Sequence, residues 1–151
     1  MKNTLSAFGI FLFIAAAIVM LFSGCEAPVE QPSAINWINV GSSGAPVFQN
    51  GWANYNPTMQ GLAFGIDSQG FLHIVGSITD LNTVSTTTQA VFSLPEEYRP
   101  AISQYTAVTG YSSTLAYIDI TVSILSTGNF IIASSAGPYI VYVGHLIVKL
   151  D

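Results

Sequence analysis

The side chains that most often do chemistry are scarce in this chain: there is one cysteine, Cys25, and two histidines, His73 and His145. A metal site built on them needs further ligands close by, and neither histidine has a carboxylate or imidazole two or four positions away. Asp119 and any of many serines can be combined with a histidine on paper, yet no G-x-S-x-G turn marks a nucleophile. Glu96 and Glu97 are adjacent, so on an extended strand they point to opposite sides and make a poor acid–base pair. His73 sits on the less apolar face of a strand, where a hydrogen-bonded structural role is the default. The expectation is a protein that is not an enzyme, holds no metal and needs no cofactor.

Cys25 is informative through its position. Lys2 and the terminal amine give a short positive start, and Leu5 to Phe22 is then an uninterrupted run of apolar or small residues. Ser23 and Gly24 follow, small enough for a signal peptidase cleft, and then the cysteine. The ending "FSGC" resembles the lipobox of bacterial lipoproteins, with Phe22 where that family most often has leucine. The resemblance implies that residues 1–24 are a signal peptide and that Cys25 becomes the first mature residue, carrying a diacylglyceryl thioether. Stable anchoring takes about two acyl chains at roughly 0.8 kcal/mol per buried CH₂, which a diacylglycerol supplies. Two other readings stay open: an ordinary secretory signal with an incidental cysteine, and a retained helix whose roughly 18 apolar residues lie at the lower edge for spanning a bilayer. Residues 25–34, with "EAPVEQPSA" after the cysteine, read as an extended, solvated tether. The expected location is the bacterial cell envelope, with the protein held to a membrane through Cys25.

What must be positioned beyond the tether is a domain spanning residues 35–151. Half of the chain is hydrophobic and only 7% is charged, against about 25% in a typical soluble domain. About 120 residues suffice for one domain with a real core. Past the leader, Arg99 and Lys149 face eight acidic residues, a net charge of −6. A nucleic-acid binder needs a basic footprint to neutralise phosphates, so nucleic acid is excluded as a partner. A polybasic membrane patch is equally absent. With one cysteine there is no internal disulfide, and stability must come from packing or assembly.

No segment sustains a helical period; alternation is the recurring signal. In "FLHIVGSITDL", Leu72, Ile74 and Ile78 share one face, with Phe71, His73, Val75 and Ser77 on the other. In "YIDITVSIL", Ile118, Ile120, Val122 and Ile124 point one way. Further strands are expected at 62–66, 89–94, 104–111, 130–134 and 139–150, with Gly144 bending or bulging the last. The stretches "DSQG" (67–70) and "STGN" (126–129) read as hairpin turns. About seven or eight short strands with regular turns indicate an all-β fold, a single antiparallel β-sandwich or jelly-roll-like domain.

Three motifs, "NGWANY" (50–55), "FGIDSQGFLHIVGSI" (64–78) and "VFSLPEEYRPA" (91–101), stand in an order and spacing that resemble the C-terminal β-domain of phage tail-fibre and baseplate receptor-binding proteins. A looser match follows at "IDITVSILSTGNF" (118–130), and Glu97 stands where the family usually has glycine before the tyrosine. The resemblance implies a small antiparallel β-module, usually a homotrimer, that binds a cell-surface glycan or other receptor. It directs attention to Trp52, Tyr55, Tyr98 and Arg99 as ligand-binding candidates. Physically, each also has a structural reading. Trp52 and Tyr55 suit an edge packed over the core or against a neighbouring subunit. Tyr98 can fold onto the end of the sandwich after Leu94-Pro95 stops a strand. Arg99, the one basic residue of the core region, can clamp a strand-end carbonyl or carboxylate. Two further functions remain in view: a prophage-type exclusion lipoprotein that masks a phage receptor, and a trimerising cap with no ligand.

Overall fold

Alternation turns into strands almost wherever it occurs. The computed structural model describes residues 34–82, 88–134 and 137–151; the signal peptide 1–24, Cys25 and the tether up to residue 33 lie outside the described residues. Among the described residues nine strands follow one another: β1 (Ile38–Asn39), β2 (Trp52–Asn54), β3 (Ala63–Ile66), β4 (Phe71–Asp80), β5 (Gln89–Ser93), β6 (Gln104–Ser112), β7 (Tyr117–Ile124), β8 (Asn129–Ala133) and β9 (Pro138–Lys149). The longer seven match the expected segments to within two or three residues. The short β1 and β2 carry too few residues for alternation to register.

All pairings are antiparallel, in the order β1-β3-β4-β9-β6-β7-β8-β5, with β2 added alongside β4. Both expected hairpins form. Between β3 and β4, Asp67 Oδ1 accepts from the backbone N–H of Gln69 at 2.9 Å and of Phe71 at 3.0 Å, the local bonding that makes aspartate a turn former. Between β7 and β8, Gly128 N donates to Leu125 O at 2.8 Å and Leu125 N to Asn129 O at 3.0 Å. Past β5, Leu94 N donates to Gly128 O and Pro95 ends the ladder, leading into a 3-10 turn at Glu96–Tyr98.

The sheet curls until its two halves face each other. Phe64 of β3 stacks on Phe92 of β5, ring centroids 5.8 Å apart, and Phe92 in turn meets Phe130 of β8 at 5.2 Å. Strands β5 and β8 are neighbours, but β3 and β5 stand far apart in the sheet order, so only curling brings Phe64 onto Phe92. The apolar faces fill the space between: Leu72, Ile74 and Ile78 from β4, Ile120, Val122 and Ile124 from β7, and Val141 and Val143 from β9 are all buried. This is the all-β architecture the alternation requires, with one face of each strand in the core.

The β4–β9 ladder contains the expected irregularity. Ser77 pairs with Tyr142 but Gly76 pairs with Gly144, leaving Val143 as an extra residue on β9. Gly76 has φ +130° and Gly144 φ +68°, both conformations that favour glycine. The bulge shifts the alternation of β9 by one residue: Val141 and Val143 face the core before it, Leu146 and Val148 after it. The same bend parts β9 from β6. Those strands pair from Thr109–Tyr142 to Ser112–Pro138 and no further, although β6 begins at Gln104 and β9 runs on to Lys149.

Candidate functional site

Of the four residues singled out from sequence, three lie in the framework. Trp52 is 4% exposed and belongs to the core, its Nε1 without a hydrogen-bond partner among the described residues. Tyr98 packs edge-on against Phe64, centroids 4.9 Å apart. Arg99 Nε donates to Leu94 O at 3.1 Å, beside Gly128. Tyr55 lies elsewhere, on the outer face of the sheet, with its backbone N–H bonded to Ser77 O.

Around Tyr55 the sheet assembles an aromatic shelf. Tyr55 meets Tyr142 of β9 edge-on at 6.3 Å, Tyr142 meets Tyr111 of β6 at 5.9 Å, and Tyr111 meets its cross-strand partner Tyr117 of β7 at 4.5 Å. Cross-strand partners share a face, so Thr109 and Asp119, paired with each other one step before Tyr111 and Tyr117, lie on the same surface. Both are exposed, and Tyr117 is 74% exposed. A hydrogen bond with Tyr117 and burial push the Tyr111 hydroxyl up to about 12. The result is a row of tyrosine rings, edge-to-face at two of its three contacts, with a hydroxyl and a carboxylate on the same surface.

A second assembly involves the histidines, which the sequence leaves far apart. His73 pairs with Ile147 and Val75 with His145, so the two imidazoles are diagonal neighbours on one face of the β4–β9 ladder. His73 Nδ1 lies 2.8 Å from His145 Nε2, and His73 Nε2 lies 2.9 Å from Asp67 Oδ2. Asp67 therefore serves twice: one oxygen caps the β3–β4 hairpin, the other holds His73. Those bonds, first from His73 and next from the Phe71 amide, hold its carboxyl below the usual carboxylate range. With both imidazoles neutral, the direction of the chain follows from the carboxylate, which only accepts. His73 donates through Nε2, its Nδ1 accepts from His145 Nε2–H, and His145 keeps Nδ1 as a free lone pair. His73 is 8% exposed while His145 is exposed. Trp37 stands over both rings at 6.4 Å from each. It is brought there because Gly65, opposite His73 in β3, has no Cβ to meet Asn36 O, which would lie 2.6 Å away.

Beside His145, the fork between β6 and β9 opens a slot of about 340 Å³. Tyr105, His145 and Ile147 border it, and Gln104, Thr106, Val122, Ile124, Leu146 and Val148 complete the lining. Among the described residues no group of three or more His, Cys, Asp or Glu is placed to hold a metal ion. The shelf partners Tyr111, Tyr117 and Tyr142, and the Asp67–His73–His145 chain, are absent from the sequence-derived candidates. Cross-strand registers alone bring them together, and no local spacing announces them.

No protein-family model matches the chain, and no curated protein matches its sequence. Among solved structures, the chain is similar to the receptor binding protein (gp15) of Listeria phage PSA, with a TM-score of 0.53 and 13% sequence identity. The match covers 97% of this chain and 80% of that one. The similarity is one of fold: the chain has a β-architecture that is shared with a phage receptor-binding protein.

Proposed function

We propose that the domain is a non-catalytic recognition module that binds a cell-surface glycan or receptor, as a homotrimer tethered to the bacterial envelope by lipid on Cys25. The observation that carries this reading is the tyrosine shelf. Sugar rings present C–H faces that stack on aromatic rings, and their hydroxyls bond to flanking polar groups such as those of Thr109 and Asp119. Tyr117, Tyr111, Tyr142 and Tyr55 line this surface across three strands and a loop, with the Tyr117 ring the most open of them at 74% exposed. The fold shared with a phage receptor-binding protein supports the reading, as do the motifs at 50–55, 64–78 and 91–101. The lipid anchor rests on "FSGC", and the trimer on apolar side chains left in solvent, among them Ile102 at 74% and Leu81 at 66% exposed.

The test is retention of the full chain, in detergent micelles, on immobilised envelope polysaccharides and on intact bacteria. Saturable retention that free polysaccharide competes away, and that Tyr117→Ser with Tyr55→Ser weakens at least tenfold, is the expected result. A folded protein retained by no surface refutes the reading. Light scattering in the same micelles reports the subunit number, and mass spectrometry of the mature chain reports whether Cys25 is acylated.

A further inference from the structure

We propose that the slot between β6 and β9 is a second ligand site, for one compact, uncharged, hydroxyl-bearing ring such as a single saccharide unit, with His145 Nδ1 as its polar anchor. The inference rests on the recognition reading for its biological setting, but its chemistry comes from the slot itself. Its volume of about 340 Å³ lies near the small end of the roughly 300–1,000 Å³ typical of small-molecule sites.

The slot is a place where a sheet has been left open. Continuing the β6–β9 register beyond Thr109–Tyr142 would set Thr106 beside His145 and Tyr105 beside Leu146, but no such pairs form. Each strand therefore turns unpaired backbone donors and acceptors towards the opening. The gap is shut at both ends, by the Thr109–Tyr142 pairing and by the Ala101 N–H donating to Leu150 O at 2.8 Å. An extended peptide adding to either edge would have to run out through one of those closures. A compact molecule carrying both donors and acceptors can bond to the two edges without doing so.

The side chains narrow the chemistry further. Gln104 and Thr106 bring an amide and a hydroxyl; Val122, Ile124, Leu146 and Val148 supply an apolar wall. Ile147 at 57% and Tyr105 at 68% exposed form an apolar rim. His145 Nε2 is taken up by His73, so Nδ1 is the atom the imidazole has left to offer, and with both rings neutral the Asp67 carboxylate makes it an acceptor. An acceptor held in one tautomer selects a ligand hydroxyl that donates. Among the described residues no lysine or arginine lines the slot, so a carboxylate or phosphate finds no fixed cation in its wall. The acidic chain repels anions besides. In this arrangement Asp67 and His73 are positioning residues and His145 is the contact.

The full chain, ¹⁵N-labelled at histidine and held in detergent micelles, is titrated with methyl glycosides of glucose, galactose and N-acetylglucosamine. Parallel titrations use glucuronate and a Thr-Val repeat hexapeptide. Long-range ¹H–¹⁵N spectra read the imidazole tautomers directly. The expected result is that a neutral glycoside shifts the His145 Nδ1 resonance, that His145→Phe weakens its binding tenfold or more, and that His145→Gln, which restores an acceptor, recovers part of the loss. Asp67→Asn can keep the hairpin cap through its carbonyl while its amide donates to His73. It should therefore reverse both tautomers and lower affinity severalfold without unfolding the domain. Preference for glucuronate or the peptide, binding unchanged in His145→Phe, or no glycoside perturbing His145 each overturns the proposal. If polysaccharide retention survives His145→Phe but not loss of the tyrosines, the slot fails and the recognition reading stands. If glycosides enter the slot yet no polysaccharide or cell retains the protein, the recognition reading fails and the slot stands.

Discussion

Replacing either glycine of the β4–β9 bulge by alanine tests the backbone that sets up the slot, and the two replacements should differ sharply. At Gly144, φ is +68° and an added Cβ meets nothing within 4 Å. The cost is then conformational, about 1–2 kcal/mol for an L-residue in the left-handed region. At Gly76, φ is +130°, and a Cβ would strike the carbonyl of Gly61 and come to 2.7 Å from Leu62 Cα. Ordinary carbon contacts lie at about 3.5–4.0 Å. Both struck groups are backbone, so no side-chain rotation relieves the overlap. Adding about 1–3 kcal/mol for overpacking to a similar conformational term gives roughly 2–5 kcal/mol, a large part of the 5–15 kcal/mol typical of a whole domain. At about 4 °C per kcal/mol, Gly144→Ala should lower the melting temperature by about 4–8 °C and Gly76→Ala by about 8–20 °C. Asparagine tolerates the left-handed region, so Gly144→Asn should melt closer to wild type than Gly144→Ala. Thermal unfolding of the full chain followed by circular dichroism decides the matter. If Gly144→Ala proves as damaging as Gly76→Ala, or asparagine no better than alanine, then backbone conformation and contact at the bulge do not govern these sites.

Phe92→Ala removes the ring between Phe64 and Phe130 and should cost about 3–5 kcal/mol, read as a lower urea midpoint at unchanged slope. Ultraviolet titration of the tyrosines should show one ionising near pH 12, and Tyr117→Phe, which removes the principal cause, should bring that step down. Because the folded Tyr111 holds its proton more tightly than an unfolded tyrosine does, its contribution is full below about pH 10 and fades as pH climbs towards 12. Asp67 has the opposite sign: its carboxyl is held below the ordinary range, so its contribution is present above about pH 4 and is lost as pH falls below that. Acid unfolding should accordingly begin at higher pH in His73→Phe, which lacks the main bond to Asp67, than in wild type. Deleting Gly144 leaves Val75 opposite His145 but removes the bulge, so β6 and β9 should zip together. Slower amide exchange across Gln104–Val108 and loss of glycoside binding would follow, whereas unchanged exchange would show that the bulge does not hold the slot open.

Much of the strand framework was legible because one-sided burial leaves a period of two in the sequence. Ile118, Ile120, Val122 and Ile124 read as a core face and are one, and Asp67 and Gly128 punctuate hairpins where turn chemistry places them. Long-range neighbours were not legible. Trp52 and Tyr98 attract attention as aromatics in short motifs, yet their surroundings depend on how far the sheet curls, and curling carries Tyr98 onto Phe64. Tyr142 and Tyr111 sit in ordinary strand text. Only the β6–β9 register turns them into a shelf with Tyr117 and Tyr55.

The histidines show the limit most clearly, because a single extra residue decides where His145 points. Before the bulge, Ser77 pairs with Tyr142 and Ile78 with Val141. Carried on without interruption, that register would place His145 opposite Ile74, on the face that fills the core. An imidazole there would be desolvated among aliphatic side chains with no partner in reach, at a cost of a few kcal/mol. The bulge moves the rest of β9 by one residue and so exchanges its two faces. Leu146 and Val148 turn inward, and His145 comes out beside His73. The hydrophobic pattern agrees once the break is known, since apolar residues at 141 and 143 give way to apolar residues at 146 and 148. Read without the break, "YIVYVGHLIVKL" is merely an apolar run with a histidine in it. Gly144 was legible as a bend, but its consequence was not. The same kink that joins the imidazoles to Asp67 also draws β9 away from β6, so the oriented acceptor and the opening beside it arise from one backbone event.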